Sequence, residues 1–233
     1  MANSRKSPPL SNSTPSLDSV FQRALEDILA RVVVSERIAS RIALAFSGGL
    51  DSTVLLRLAA AACKQRGIKL FAFHVHHGLS PNADHWLTHC EVQAQQAGAA
   101  FVARKVHINP HDKLGIEQAA RLARYDALAD MCASNHVQLL LTAHHQDDQA
   151  ETVVLQLLRG AGLPGLSAMA MLQSEHALLG TGIALGRPLL EMTRADLELW
   201  ADTHSSARTT AAWCTKVDCS QCATPADRAA IAG

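Results

Sequence analysis

A strand running into a Ser-Gly-Gly turn sets the topology of this chain. Residues 42–46, Ile-Ala-Leu-Ala-Phe, are continuously apolar, as a strand buried on both faces would be. The run breaks at Ser47-Gly48-Gly49, and after Leu50-Asp51-Ser52 the apolar spacing becomes helical at Val54, Leu55, Leu56 and Leu58. A strand, a sharp glycine turn and the start of a helix place free backbone N–H groups and the positive end of the helix dipole at one point, which is how a phosphate is held.

The same alternation continues downstream. The spacing predicts a leading helix over about 17–34 and a helix over about 51–65 that stops at Gly67. Strands are expected over 70–76, 99–108 and 137–143, with helices over about 83–97, 116–134 and 149–158. Strand and helix alternate through four repeats of the pattern. That order predicts an α/β fold, a doubly wound, Rossmann-like parallel sheet with helices on both faces and right-handed crossovers. Ligands then bind beyond the carboxyl ends of the strands. His74, His76 and His77 follow the second strand, and His144, His145, Asp147 and Asp148 follow the fourth. Both clusters are thereby expected on the same sheet edge as the glycine turn. Residues 178–190 are expected to hold one or two short strands, and 193–201 a helix. The domain is expected over 17–201, after a Ser/Pro-rich disordered tail over 1–16.

Charge matters to the choice of partner. Lys+Arg and Asp+Glu are both 21, so any contact with a polyanion must come from local groups rather than a global field. No apolar run reaches the length of a membrane span and the N-terminus carries no signal-like apolar stretch, so a reducing cytoplasm and no membrane are the expectation. Cys63, Cys90 and Cys132 fall in helical contexts as ordinary buried thiols. Cys214, Cys219 and Cys222 resemble half a zinc site, with no obvious fourth ligand nearby and His204 as one candidate.

The turn is not the lysine-bearing nucleotide loop, since no Gly-Lys-Ser/Thr follows it, and it is not a dinucleotide GxGxxG. Gly48 and Gly49 allow close backbone approach, and Ser47 and Ser52 bring hydroxyls. Asp51 is the odd member. A carboxylate about 4 Å from a phosphate charge is repelled by several kcal/mol at an effective dielectric near 20. A divalent cation between them, naturally Mg²⁺, removes the conflict. An ordinary helix cap by Asp51 or Ser52 would read the same way at this point.

Ser47-Gly-Gly-Leu-Asp-Ser52 after an apolar strand resembles the PP-loop of the ATP pyrophosphatases. His74-Val-His-His-Gly-Leu-Ser80, Ala119-Ala-Arg-Leu-Ala-Arg-Tyr125, Thr142-Ala-His-His-Gln-Asp-Asp-Gln-Ala-Glu-Thr152, Leu158-Arg-Gly-Ala-Gly-Leu-Pro-Gly-Leu166 and Arg187-Pro-Leu-Leu190 are similar, in order and spacing, to the tRNA(Ile)-lysidine synthetases. The resemblance covers about residues 20 to 201. It implies a ligase of two steps. ATP adenylates the C2 carbonyl oxygen of cytidine 34 in the CAU anticodon of tRNA(Ile), releasing pyrophosphate. The amine of free L-lysine then displaces AMP to give lysidine.

The resemblance also implies roles. Ser47, Gly48, Gly49, Leu50, Asp51, Ser52 and His74 would bind ATP, with Mg²⁺ carried between Asp51 and the nucleotide. Asp51 and Arg121 would be catalytic. His144, Asp148, Glu151, Arg124 and Arg159 would serve lysine and tRNA. Asp147 and Asp148 stand at i,i+4 and i,i+3 from Glu151, so a helical start gathers them and a bound cation would offset their repulsion. A solvated acidic first turn is the plain alternative. For Arg121 the plain alternative is an ion pair with Glu117, and for the histidines it is a metal-dependent phosphohydrolase. Another PP-loop adenylating synthetase, or an inactive nucleotide-binding remnant, also stays open, as does a homodimer. Beyond Asp202 the composition turns to Ala, Thr and Cys and departs from the family's pattern, so 202–233 are expected to be an atypical, non-native tail of a truncated or frame-shifted product.

Overall fold

The computed structural model describes residues 16–32, 40–78, 82–107, 115–160 and 168–204. The expected tail over 1–15 and Cys214, Cys219 and Cys222 lie outside these residues. So does most of the tail from 202 onward, and so do 161–167 of the second glycine-rich segment.

Among the described residues the elements run in the order α1 (Leu17–Val32), β1 (Arg41–Ala45), α2 (Leu50–Arg66), β2 (Lys69–His76), α3 (Ala83–Gln96), β3 (Ala100–Lys105), α4 (Ile116–Asn135), β4 (Leu139–Leu141), α5 (Gln146–Leu158), β5 (Leu172–Gln173), β6 (Ala184–Gly186) and α6 (Arg194–His204). The strands form one sheet in the order β3-β2-β1-β4-β6-β5, all parallel except the antiparallel β5. The chain therefore winds outward from β1 to β3 and returns on the other side of β1 at β4. β1 and β4 flank the point where the strand order reverses, and a crevice opens there in such sheets.

Alternation of side chains splits the core into two layers. Ile42, Leu44, Leu70, Ala72, Leu139 and Leu141 face α1, α2, α3 and α6, where Leu25, Leu55, Cys90 and Leu197 close over them. Ala43, Phe71, Phe73, Leu140 and Leu185 face the opposite way, under Tyr125, Leu128 and Met131 of α4. Helices thus cover both faces, as the alternating pattern predicts. Fully sealing one Phe or Leu contributes about 1.5–3 kcal/mol, so these paired layers hold the sheet edge in place. Cys63, Cys90 and Cys132 are buried free thiols, and burial pushes Cys90 and Cys132 up to about 12 and Cys63 to about 11. They pack as small apolar groups.

Several boundaries differ from those the sequence predicts: β4 starts at Leu139 rather than 137 and α6 runs on to His204 rather than 201, and three more lie at the site edge. β4 ends at Leu141 rather than 143: the Thr142 N–H donates to Gly186 O at 2.9 Å as the last rung of the β4–β6 ladder, and past it the Thr142 hydroxyl turns to His144 Nδ1 at 2.9 Å. α5 starts at Gln146, not Gln149, because the Asp148 carboxylate accepts the His145 N–H at 2.8 Å and closes the first turn early. β3 stops at Lys105, where the chain turns exposed. The short antiparallel β5 has too few residues to show a period, and the sequence reading did not include it.

Candidate active site

The loop follows directly from β1. Phe46 is buried and donates its N–H to Phe73 O at 2.8 Å, so the chain stays in the sheet up to the turn. Gly48 then takes φ +82, a left-handed conformation that only glycine adopts without strain. A Cβ there would stand 2.6 Å from Cys90 Sγ and 3.0 Å from the Trp86 ring. Trp86 also donates its indole N–H to Ser47 O at 2.7 Å. α3 therefore fastens the loop from behind, a role that no short motif announces.

α2 starts after Gly49 with no side chain capping its first turn. Ser52 spends its hydroxyl on Gly49 O at 3.0 Å and on Ser47 Oγ at 3.1 Å, and Thr53 donates to Gly49 O at 2.9 Å. The ordinary-cap reading of Asp51 and Ser52 is thereby replaced: neither caps the helix, and its positive end faces the loop. His74 joins the loop by donating Nδ1–H to Phe46 O at 2.8 Å, and burial holds its imidazole below the usual range.

Asp51 points away from the turn toward α5 and α6. Its Oδ2 accepts from Arg194 Nη1 at 2.5 Å and stands 3.8 Å from His145 Nε2. Its Oδ1 is buried with no hydrogen-bond partner. Burial pushes the Asp51 carboxyl above the ordinary carboxylate range, while the Arg194 guanidinium and the His145 imidazole hold it back. His145 in turn stands 3.7 Å from Asp148 Oδ2 and 3.9 Å from Asp147 Oδ2. Asp51, His145, Asp147, Asp148 and Arg194 form one network across the β1–β4 junction. Glu151 stands exposed one turn further along α5. His144 is buried, with its Nδ1 at 2.9 Å from the Thr142 hydroxyl.

A second cluster lies on α4. Arg121 and Arg124 stand 5.4 and 5.3 Å from the centre of the Tyr125 ring, and His176 stacks on Tyr125 at 4.6 Å. Burial first, then Arg124, His74 and His76, push His77 down to about 4. Arg124 and His74 thus bear on one imidazole, which links this cluster to the loop. Arg187 is buried and donates to Ala170 O at 2.8 Å, so it braces the β5–β6 edge. Arg159 is exposed at the far end of α5, roughly 16 Å along the helix axis from Asp148. It is not brought to the loop.

The histidines have separate partners. His76 faces Asp84 at 3.2 Å, while His74, His144 and His145 take the contacts given above. Among the described residues no three His, Cys, Asp or Glu side chains converge to hold a metal ion. A hard divalent cation shared with nucleotide phosphates needs fewer protein ligands, and the unpartnered Asp51 Oδ1 beside the uncapped helix fits one. Arg194 and Trp86 are the two contributors that the motifs did not include. Arg194 stands 143 residues from Asp51, so only the folded chain reveals the pair. Asp147 was legible as part of the acidic cluster.

Known proteins place this arrangement. The chain is 47% identical over 193 residues to a tRNA(Ile)-lysidine synthase of Ralstonia nicotianae, covering 82% of this chain and 40% of that protein. It is 54% identical over 164 residues to one of Burkholderia mallei, covering 70% of this chain and 32% of that protein. It thus spans about two fifths of these relatives at most. The U34-tRNA thiolase NcsA of Methanococcus maripaludis shares the fold at a TM-score of 0.61 with 17% identity, over 91% of this chain and 70% of that one. NMN synthetase of Francisella tularensis is more distant, at 0.51 with 12% identity over 80% of this chain and 70% of that one. The PP-loop domain matches residues 17–210, the span that holds both the glycine turn and the acidic α5, and the chain belongs to the PP-loop family.

Proposed function

We propose that this domain carries out ATP-dependent formation of lysidine on cytidine 34 of tRNA(Ile). The observation that supports this most directly is the network joining Asp51 of the loop to the acidic start of α5 across 3.8 and 3.7 Å through His145. An adenylating loop and a site for an ammonium nucleophile then share one crevice. The names of the relatives supply the substrate class.

In this reading the backbone of Gly48, Gly49 and Leu50 and the start of α2 hold the pyrophosphate portion of ATP, with Ser47 and Ser52 fixing the turn. Asp51 Oδ1 would hold Mg²⁺ together with the phosphates, and that ion would supply the positive charge that stabilises departing pyrophosphate. Attack of the cytidine C2 carbonyl oxygen on the α-phosphorus forms one P–O bond and breaks the bond to pyrophosphate. Asp148 and Glu151 then receive the lysine ammonium, which must lose a proton before its nitrogen can attack C2 and release AMP. Arg121 and Arg124 lie on the His77 side, placed for the nucleotide or the tRNA backbone.

A lysine-incorporation assay on tRNA(Ile) with the CAU anticodon tests the reading, with ATP–pyrophosphate exchange run alongside. Exchange that depends on this tRNA, followed by lysine transfer, is expected. Asp51→Asn should fold normally and lose exchange by a hundredfold or more, on the order of 3 kcal/mol. Exchange driven instead by a small carboxylic acid would assign the domain to another adenylating synthetase of the family, and near-normal exchange in Asp51→Asn would remove Asp51 from the mechanism.

A further inference from the structure

Arg194 opens α6, and its side chain ends on the loop carboxylate, with Nη1 2.5 Å from Asp51 Oδ2. Its Nε donates to Glu198 Oε1 at 3.0 Å, and its main-chain N–H donates to Asp147 Oδ2 at 3.1 Å. One residue thus touches the acidic group of the loop and that of α5. The element presenting it is rigid. Thr193 and Asp196 close the start of α6 at 2.6 Å, Leu197 and Ala201 are fully buried, and Trp200 donates to Asp18 of α1 at 2.9 Å. The guanidinium therefore does not reach Asp51 as a free surface side chain would. It is delivered there.

The consequence turns on charge. Without Arg194 the crevice holds the carboxylates of Asp51, Asp147 and Asp148, which do not converge as a ligand set but whose negative charge outweighs the positive helix end and attracts a divalent cation to the unpartnered Asp51 Oδ1. With Arg194 in place, a bare cation about 5 Å from the guanidinium is disfavoured on the order of 10²-fold or more, even after allowance for solvent around a pair whose members are 39% and 26% exposed. Loss of the clamp on Asp51 Oδ2 would change cation affinity only a few-fold through side-chain freedom, so the charge effect decides. A cation that arrives with ATP is different, because the phosphates bring net negative charge and give the guanidinium a second partner.

We propose that Arg194 is a positioning residue that makes cation binding at Asp51 conditional on nucleotide: it serves as the resident counter-charge of the loop and bars a free divalent cation. This rests on the PP-loop reading of Asp51 given under Proposed function. Arg194 lies outside the loop, the acidic motif and the α4 arginines that carry that reading.

The test needs no turnover. Thermal melting is followed for the chain and for Arg194→Gln and Arg194→Lys while MgCl₂ is added without nucleotide. A parallel series with MnCl₂ uses the paramagnetic signal of the free ion to count bound metal. The parent and Arg194→Lys should not respond. Arg194→Gln should melt roughly 3–5 °C higher at tenfold excess over its own Kd, and should bind about one Mn²⁺. Adding Asp51→Asn to Arg194→Gln should abolish the response, because the two groups act as one unit. An Arg194→Gln variant that gains no stabilisation at any Mg²⁺ concentration, folded or not, overturns the role. So does a parent chain that binds Mn²⁺ alone equally well. Mg·ATP binding by the parent is measured separately. Its absence overturns the proposed function and leaves no conditional binding for Arg194 to enforce, whereas its presence with an unresponsive Arg194→Gln overturns the role of Arg194 alone.

Discussion

At the scale of single residues, Gly48 is the position with the least freedom. Its φ of +82 and a 2.6 Å approach to Cys90 Sγ from any added Cβ act together, since a methyl group would strain the backbone and push into a buried thiol and an indole ring. Gly48→Ala should destabilise the domain by about 1–3 kcal/mol. It should also weaken ATP binding more than Gly49→Ala does, because a Cβ on Gly49 would meet only Ser47 Oγ at 3.6 Å. Urea melts and nucleotide titrations of the two variants decide this, and equal behaviour would show that Trp86 and Cys90 yield freely. His77 supports a prediction about pH. The folded state holds its imidazole neutral down to about 4, whereas an unfolded chain protonates it near the ordinary value of about 6.5. The unfolded state thus binds the extra proton, so this contribution to stability is intact above about pH 6.5 and is lost progressively as pH falls toward 4. His77→Gln should flatten that part of the stability profile, as measured by denaturant melts between pH 7 and 4.5. An unchanged slope would place the titration on His74, His89 or His176, whose imidazoles burial also holds low.

At the scale of elements, α5 carries the clearest separation of roles. Its first turn faces the network, and Asp148 also accepts the His145 N–H at 2.8 Å. Asp148→Asn keeps an acceptor for that bond and removes the charge. The helix should persist with a loss of about 1 kcal/mol or less, while KM for lysine rises tenfold or more and KM for ATP stays near the parent value. A parallel rise in both constants would mean that Asp148 serves the loop rather than the amine. How much of this was legible depends on how local the signal is. The strands around β1 and the glycine turn are short-range patterns and are legible in the sequence; the spacing of Asp147, Asp148 and Glu151 is as local, and the fold brings Asp147 and Asp148 to His145 while Glu151 stands exposed one turn on. The early start of α5 was missed because His145 is an unusual first residue, and the bond that sets it is a back-contact from Asp148. Arg194 and Trp86 were missed for a stronger reason. Each meets the loop only after the sheet has brought α6 and α3 beside it, and nothing in their flanking residues marks them. Arg159, in a motif of the resemblance, ends at the distant tip of α5, so only a contact with tRNA away from the loop would use it.

At the scale of the whole molecule, the distribution of charge limits how the proposed tRNA substrate would be gripped. Lys+Arg and Asp+Glu balance at 21 each, so no long-range field draws a polyanion to this chain. Among the described residues, the arginines proposed for contact with tRNA are Arg121 and Arg124 on α4 and Arg159 at the far end of α5, away from the loop. Arg187 is buried against Ala170 and Gln173, and Arg194 is committed to Asp51 and Glu198. If those three arginines each displace about one counterion, log K for tRNA should fall with log salt at a slope of roughly −2 to −3. Binding should then be weak at physiological ionic strength. The relatives extend well past the matched region, which covers 40% of the Ralstonia protein, so more of the grip can reside in their remaining length. Filter binding of tRNA(Ile) across a salt series tests the argument directly. A slope near −2 to −3 that flattens by about one unit in Arg124→Gln is expected. A slope steeper than about −5 would mean that many more basic groups meet the backbone than these three arginines.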